Sequence, residues 1–217
     1  MTTKSIPLTD DLHAYLVAHG SPPDEIMREL IEETRAALPD DARMQVAPEQ
    51  AAFLTFLTRL LGARRAVEVG TFTGLSALAI ARGLAEGGHL TCFDISEEFT
   101  GVARRYWARA GVQDRIDLRI GPAGETLREL PYQRDIDFAF IDADKTGYPV
   151  YWSELVPRMR PGGVIAVDNV LRGGRVIAPG NADDRAIAAF NDEVLADVRV
   201  DAVMLPVADG LTLARVL

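Results

Sequence analysis

From Arg65 onward, five short β-rich runs alternate with helix-sized stretches: Ala66–Val69, Leu90–Phe93, Ile116–Ile120, Ile136–Ile141 and Val164–Val167. Each gap is long enough for a crossover helix, and such alternation specifies a parallel sheet covered by helices on both faces. Two further runs, Val200–Leu205 and Leu211–Val216, are separated only by Pro206-Val207-Ala208-Asp209-Gly210. That gap is too short for a crossover, so the pair is expected as an antiparallel hairpin at one edge. The expected fold is therefore α/β, with seven strands, mostly parallel, and a C-terminal antiparallel hairpin.

The first sixty residues read differently. A helix is expected from Leu8 to His19, ended by Gly20, and a second after Ser21-Pro22-Pro23-Asp24, which has capping-box spacing with proline in the first turn. In that second helix, which should end near Pro39, Ile26, Leu30 and Ile31 recur at helical spacing against Arg28, Glu29, Glu32 and Glu33. A third should start at Pro48 and stop at Gly62. We read one domain over 1–217, with a helical cap at 1–62 and a sheet core at 63–217. With 48% hydrophobic residues in 217, the chain can bury one substantial core.

Charge and cysteine usage exclude several classes. The net charge is −9 with the two signs interspersed, which argues against a nucleic-acid-binding stripe. Cys92 is the only cysteine, so no internal disulfide framework is expected. Met1-Thr2-Thr3-Lys4 does not lead into the apolar core of a signal peptide, and no apolar run is long enough to span a bilayer. The expectation is a soluble cytoplasmic protein with no membrane or nucleic-acid partner.

The chemistry-bearing residues cluster at strand ends. Asp142-Ala143-Asp144-Lys145 and Asp168-Asn169 lie 26 positions apart, each after an apolar run, and parallel pairing of those runs puts both on one sheet edge. Hard oxygen ligands beside a lysine suit a Mg²⁺-type ion rather than zinc. Glu68-Val69-Gly70-Thr71-Phe72-Thr73-Gly74 follows the first strand, where small residues let a ligand approach backbone. The spacing is not G-x-G-x-x-G. Asp94 ends the second strand, 24 residues after Gly70, near the offset at which an acidic residue takes ribose hydroxyls, which is the favoured reading; capping of the next helix through Asp94-Ile95-Ser96 is compatible with it.

The set Glu68-Val69-Gly70-Thr71-Phe72-Thr73-Gly74-Leu75-Ser76, Asp94, Gly121-Pro122-Ala123, Asp142-Ala143-Asp144-Lys145 and Asp168-Asn169 resembles the metal-dependent class I O-methyltransferases of the caffeoyl-CoA and catechol type. The resemblance covers nearly the whole chain, including Met44-Gln45-Val46 and Pro48-Glu49-Gln50. It implies a Rossmann-like methyltransferase sheet, S-adenosylmethionine as cofactor, a small phenolic substrate and a homodimer. Glu68, Gly70, Thr71 and Ser76 would line the methionine half of the cofactor, Asp94 would hold the ribose and Ala123 the adenine. Val46 would close over the methionine end, with Tyr151 and Asp142 also near the cofactor. Asp142, Asp168 and Asn169 match the family's metal ligands, for Mg²⁺ or alternatively Ca²⁺ or Mn²⁺, and Lys145 matches its general base.

Two departures bear on the acceptor. Where the family commonly has an aromatic residue after the Asp-Asn pair, this chain has Leu171 followed by Arg172-Gly173-Gly174-Arg175, and Gly147 replaces a frequent asparagine. Arg172 or Arg175 is expected either to bind an acidic group of the acceptor through its guanidinium or to face solvent on a loop. No concentrated basic loop for a coenzyme A ester is evident, so free phenolic acids rank above acyl-CoA. A nicotinamide-dependent oxidoreductase is disfavoured by the glycine spacing and the hairpin. A non-catalytic S-adenosylmethionine-binding protein is disfavoured by the intact Asp142, Lys145, Asp168 and Asn169.

Overall fold

The structure is a computed structural model that describes residues 6–217; Met1-Thr2-Thr3-Lys4 lies outside them. Seven strands form one sheet: β1 (Arg65–Val69), β2 (His89–Asp94), β3 (Ile116–Ile120), β4 (Ile136–Ile141), β5 (Met159–Asp168), β6 (Val200–Leu205) and β7 (Leu211–Val216). Their spatial order is β3-β2-β1-β4-β5-β7-β6, with β7 antiparallel to both its neighbours and every other pair parallel. The seven-stranded methyltransferase-like sheet with its terminal hairpin is as the sequence predicts. The order reverses between β1 and β4, which opens a crevice at their carboxyl ends.

Alternate residues of each strand feed two cores. Ala66, Leu90, Cys92, Phe138, Phe140 and Ala166 face α2 (Glu25–Ala37), α3 (Pro48–Leu60), α4 (Leu75–Gly83) and α5 (Glu97–Arg109). Val67, Val69, Phe93, Ala139, Ile141, Ile165 and Val167 face α7 (Tyr148–Leu155) and α8 (Ala182–Ala196), behind a short α6 (Ala123–Thr126). Burial on both faces accounts for the almost unbroken apolar runs. Among the described residues, no helix is long and apolar enough to cross a membrane.

The boundaries differ from expectation in two places. The second helix does not start behind Ser21: Asp24 is its N-cap, and Asp24 Oδ1 accepts from the Met27 N–H at 3.0 Å. Ser21 and Pro22 each precede a proline and are thereby biased toward extended backbone, so the helix waits until that constraint ends. Strand β5 starts at Met159, earlier than Val164, because a bulge between the Ile136–Met159 and Phe138–Val164 pairs absorbs Pro161-Gly162-Gly163. A short helix, α1 (Asp10–Ala18), precedes α2. The cap itself docks through α2, whose Met27, Leu30 and Ile31 are buried and whose Glu33 accepts from Arg105 and Tyr106 of α5.

Candidate active site

The carboxyl ends of β1, β2, β4 and β5, roofed by the segment 43–50 of the cap, enclose a cavity of about 1160 Å³. Val46, Gly70, Thr71, Ser76, Asp94, Ala123, Asp142, Lys145, Tyr151, Asp168, Asn169, Arg172 and Arg175 all border it. Glu68 does not. It is wholly buried one layer back, beneath Thr71 and beside Cys92, both of which donate to its Oε2. Burial pushes its pKa up to about 7 against the opposing pull of the Ser76, Thr71 and Cys92 donors, with Asp94 adding to the rise. The expectation that Glu68 lines the cofactor space is thus corrected to a place behind the wall, because its side chain points to the Cys92 side of the sheet, where Glu68 and Cys92 are register partners.

Asp94 holds the glycine loop in shape. Its Oδ2 accepts from the Thr71 and Phe72 N–H groups, each at 2.8 Å, and its Oδ1 accepts from Ser96 N–H at 2.8 Å. The local backbone role is therefore real, and Oδ1 retains capacity for one more donor. A second set of bonds ties the loop to the cap: Thr34 donates to Thr73 Oγ1 at 3.0 Å, and Gln45 Nε2 reaches both hydroxyls at 3.0 and 3.1 Å. Trp107, expected as packing, is buried and also donates to the Gly74 carbonyl at 3.1 Å.

At the other end of the cavity, Asp142 stands just past β4 and Asp168 at the tip of β5. Lys145 Nζ donates to Asp142 Oδ1 at 3.0 Å and to the Tyr148 hydroxyl at 2.7 Å, and that hydroxyl donates to the Asp168 carbonyl at 3.1 Å. Lys145 is thus bonded to Asp142 rather than to Asp144, which is taken by the Tyr151 hydroxyl. Burial, followed by the like charge of Asp142, raises the Asp168 pKa to about 7; Gln50, the Asn169 N–H and Lys145 act in the opposite direction. Asn169 sits at φ 56°, a left-handed conformation, and its N–H bonds Asp168 Oδ1 at 2.7 Å.

Among the described residues, no group of three or more His, Cys, Asp or Glu side chains forms a metal-binding cluster. The available donors are two carboxylates and the Asn169 amide. They fit a hard divalent cation in kind: all three are oxygen donors, and a cation between Asp142 and Asp168 relieves the repulsion that raises Asp168.

Both arginines are ion-paired, but Arg172 is largely covered whereas the Arg175 side chain is half exposed to solvent. Arg175 Nε lies 3.1 Å from both oxygens of Asp184, whereas Arg172 makes longer contacts, 3.4 Å to Asp184 and 3.6 Å to Asp183. The Asp184 side chain is fully buried on the first turn of α8; burial acts to raise its pKa, but Arg175 and Arg172 outweigh it and hold the pKa low. Sequence reasoning missed this partner, although Asn181 and Asp184 have the spacing of a helix start, and Asn181 Oδ1 does accept from the Asp184 N–H. It also missed the cavity-bordering Arg43 and Gln50, and the 2.8 Å pairing of His13 with Glu49.

An O-methyltransferase family model matches residues 18–217. The chain belongs to that family. A relative in Dictyostelium discoideum, named "Probable caffeoyl-CoA O-methyltransferase 1", is 42% identical over 92% of this chain and 89% of its own length. The O-methyltransferase from Bacillus cereus, solved with SAH, matches at 34% identity with a TM-score of 0.86, over 95% of this chain and 97% of that one. The SAH-bound methyltransferase PaMTH1 of Podospora anserina has a TM-score of 0.90 at 27% identity, over the whole of both chains. The two TM-scores show that the whole fold is shared with these solved structures, and the resemblance read from the glycine loop and the two acidic motifs names the same family.

Proposed function

We propose that the protein transfers the methyl group of S-adenosylmethionine to one hydroxyl of a vicinal dihydroxy aromatic, with a divalent cation held by Asp142, Asp168 and Asn169. The observation that carries this reading is the convergence of two carboxylates, an amide and Lys145 at one end of a cavity whose other end is the glycine loop. Magnesium suits the oxygen donors, with Mn²⁺ or Ca²⁺ as alternatives; when bound, the cation acidifies an acceptor hydroxyl and fixes its position.

The chain's residues do the rest. Gly70, Thr71, Ser76 and Val46 surround the methionine end, Asp94 offers Oδ1 to the ribose, and Ala123 and Tyr151 flank the remainder. Lys145 Nζ is the group assigned to take the phenolic proton, and Tyr148 and Asp142 keep that nitrogen in place. The methyl group passes from sulfonium sulfur to phenolate oxygen, leaving a neutral thioether. Positive and negative charge cancel in that step, so alignment and exclusion of water are the main contributions of the cavity.

A carboxylate on the acceptor is assigned to Arg172, whose contacts to Asp183 and Asp184 are the longer ones; Arg175 is committed to Asp184. A second reading, an acyl-CoA acceptor, draws on the name of the Dictyostelium relative and on Arg43, which borders the cavity and has no ion-pair partner among the described residues. The reading also includes a homodimer, for which light scattering on a sizing column should give about twice the chain mass.

Incubation with S-adenosylmethionine, Mg²⁺ or EDTA, and catechol, protocatechuate, caffeate and caffeoyl-CoA tests the proposal by mass spectrometry of the products. Product that vanishes with EDTA and in Asp168→Ala supports the metal-assisted reading; product indifferent to EDTA refutes it. Equal use of caffeate and caffeoyl-CoA, or preference for the ester, moves the acceptor to the second reading.

A further inference from the structure

We propose that Asp209, on the turn between β6 and β7, is a positioning residue for acceptor selection: it pins the loop that follows Asp168-Asn169 and so keeps Arg172 at the cavity. The inference rests on the acceptor reading above. Beyond the last β5–β7 pair, Asp168 with Leu211, the two segments stay together: the Val170 N–H donates to the Gly210 carbonyl at 3.2 Å and the Leu171 N–H to the Asp209 carbonyl at 2.9 Å. The fit is close, because a Cβ on Gly210 would fall 2.4 Å from Leu171 Cγ. Past Leu171 the Asp209 side chain takes over from the backbone, and its Oδ1 accepts from the Gly173 N–H. Ala208 and Asp209 border the same cavity as Arg172.

That bond falls inside a strained turn. Arg172, Gly173 and Gly174 follow one another at φ 51°, 61° and 83°, and the Gly174 N–H closes back onto the Leu171 carbonyl at 2.8 Å. Glycine takes the left-handed region freely, but the Cβ of Arg172 makes it costly there, and such a conformation persists only where the surroundings over-determine it. On the α8 side the surroundings are Asp184 and Asp183, which Arg172 reaches only at 3.4 and 3.6 Å. On the hairpin side they are Asp209. Loss of its carboxylate lets the turn relax at Arg172, and the guanidinium leaves the place where an acceptor carboxylate meets it.

The test uses Asp209→Ala, which deletes the acceptor of the Gly173 N–H, and Asp209→Asn, which keeps an oxygen there and removes the charge. Steady-state kinetics compare protocatechuate with catechol at saturating S-adenosylmethionine and Mg²⁺. In Asp209→Ala the KM for protocatechuate should rise about fivefold, equivalent to about 1 kcal/mol, with kcat and the KM for catechol within about twofold of wild type. Asp209→Asn should bring the protocatechuate KM back to within about twofold of wild type. In an Arg172→Ala background, Asp209→Ala should add less than about twofold, because residues that act through one another are not additive. Hydrogen exchange read by mass spectrometry should show residues 170–176 exchanging faster in Asp209→Ala and as wild type in Asp209→Asn. An unchanged protocatechuate KM in Asp209→Ala overturns the proposal, as do an equal rise for both acceptors, an asparagine variant as impaired as the alanine one, or a full effect in the absence of Arg172. A wild type that methylates neither acceptor brings down the acceptor reading instead; hydrogen exchange then decides the positioning role, faster exchange in Asp209→Ala alone upholding it and unaltered exchange overturning it.

Discussion

Replacing Gly70 with alanine tests whether the glycine loop and the acidic motif are one mechanical unit. Gly70 has φ 89°, and a Cβ built there falls 1.9 Å from the Asp142 carbonyl oxygen and 2.6 Å from its carbon. Ordinary contact begins near 3.4 Å, so the Asp142 backbone would have to retreat by roughly 1.5 Å. The left-handed backbone costs about 1–2 kcal/mol with a Cβ, and forcing the contact adds about 1–3 kcal/mol of overpacking strain. Gly111 is the internal control, since at φ 66° it has nothing within 4 Å of its Cβ position. Gly111→Ala should show only the first cost, and Gly70→Ala about 2–5 kcal/mol in total, read from urea denaturation at constant m-value. Because Asp142 carries Lys145 and the proposed metal, turnover of Gly70→Ala should also fall by about 100-fold, the scale expected of a 1 Å misplacement. Equal stability of the two variants, with activity retained in Gly70→Ala, would show that the loop and the motif move independently.

Three further outcomes follow from the same contacts. Glu68, with a pKa of about 7 against an ordinary 4.5, keeps its proton in the native state after the unfolded chain has lost it. Native protons then exceed unfolded ones between those values, so its contribution to stability falls as pH rises through that window and is level above it; Glu68→Gln should lose about 2–3 kcal/mol less than wild type between pH 5 and 8 in urea melts, and a parallel pair of curves would contradict the assignment. Thr34→Val deletes the hydroxyl shared by Gln45 and Thr73, and should cost about 1 kcal/mol and weaken S-adenosylmethionine binding measured by calorimetry; unaltered binding would mean the cap is not coupled to the loop. Asp184→Asn loosens both arginines, so the KM for protocatechuate should change while that for catechol does not, and identical shifts for the two would remove Arg172 from carboxylate recognition.

What the sequence disclosed and what it withheld have separate physical causes. Every strand was legible because apolar runs of β-forming residues bounded by turn chemistry reflect burial on both faces, which is a local signal. The glycine loop and acidic motifs were legible because a sheet edge collects residues that are far apart in the chain at predictable places. The Asp184 partner of Arg172 and Arg175 was not, since the pairing depends on how the turn after Asn169 folds back onto α8. The placement of Glu68 was misjudged for a related reason: position beside the glycines is visible in sequence, whereas the face on which the side chain points depends on strand parity. Gln50 did leave a trace, a polar residue four positions before Leu54 and seven before Leu57 on a buried helical stripe.

The position of β7 has a consequence during synthesis. Asp168 at the end of β5 pairs with Leu211, and β7 separates β5 from β6, although β6 precedes it in the chain. Until residues 211–216 leave the ribosome, Val164, Ile165, Ala166 and Val167 form a bare, apolar strand edge, the kind of surface on which nascent chains associate. The strand that completes the active-site edge is therefore made after both strands it separates, and folded yield should depend on chaperone capacity more steeply than native stability alone implies.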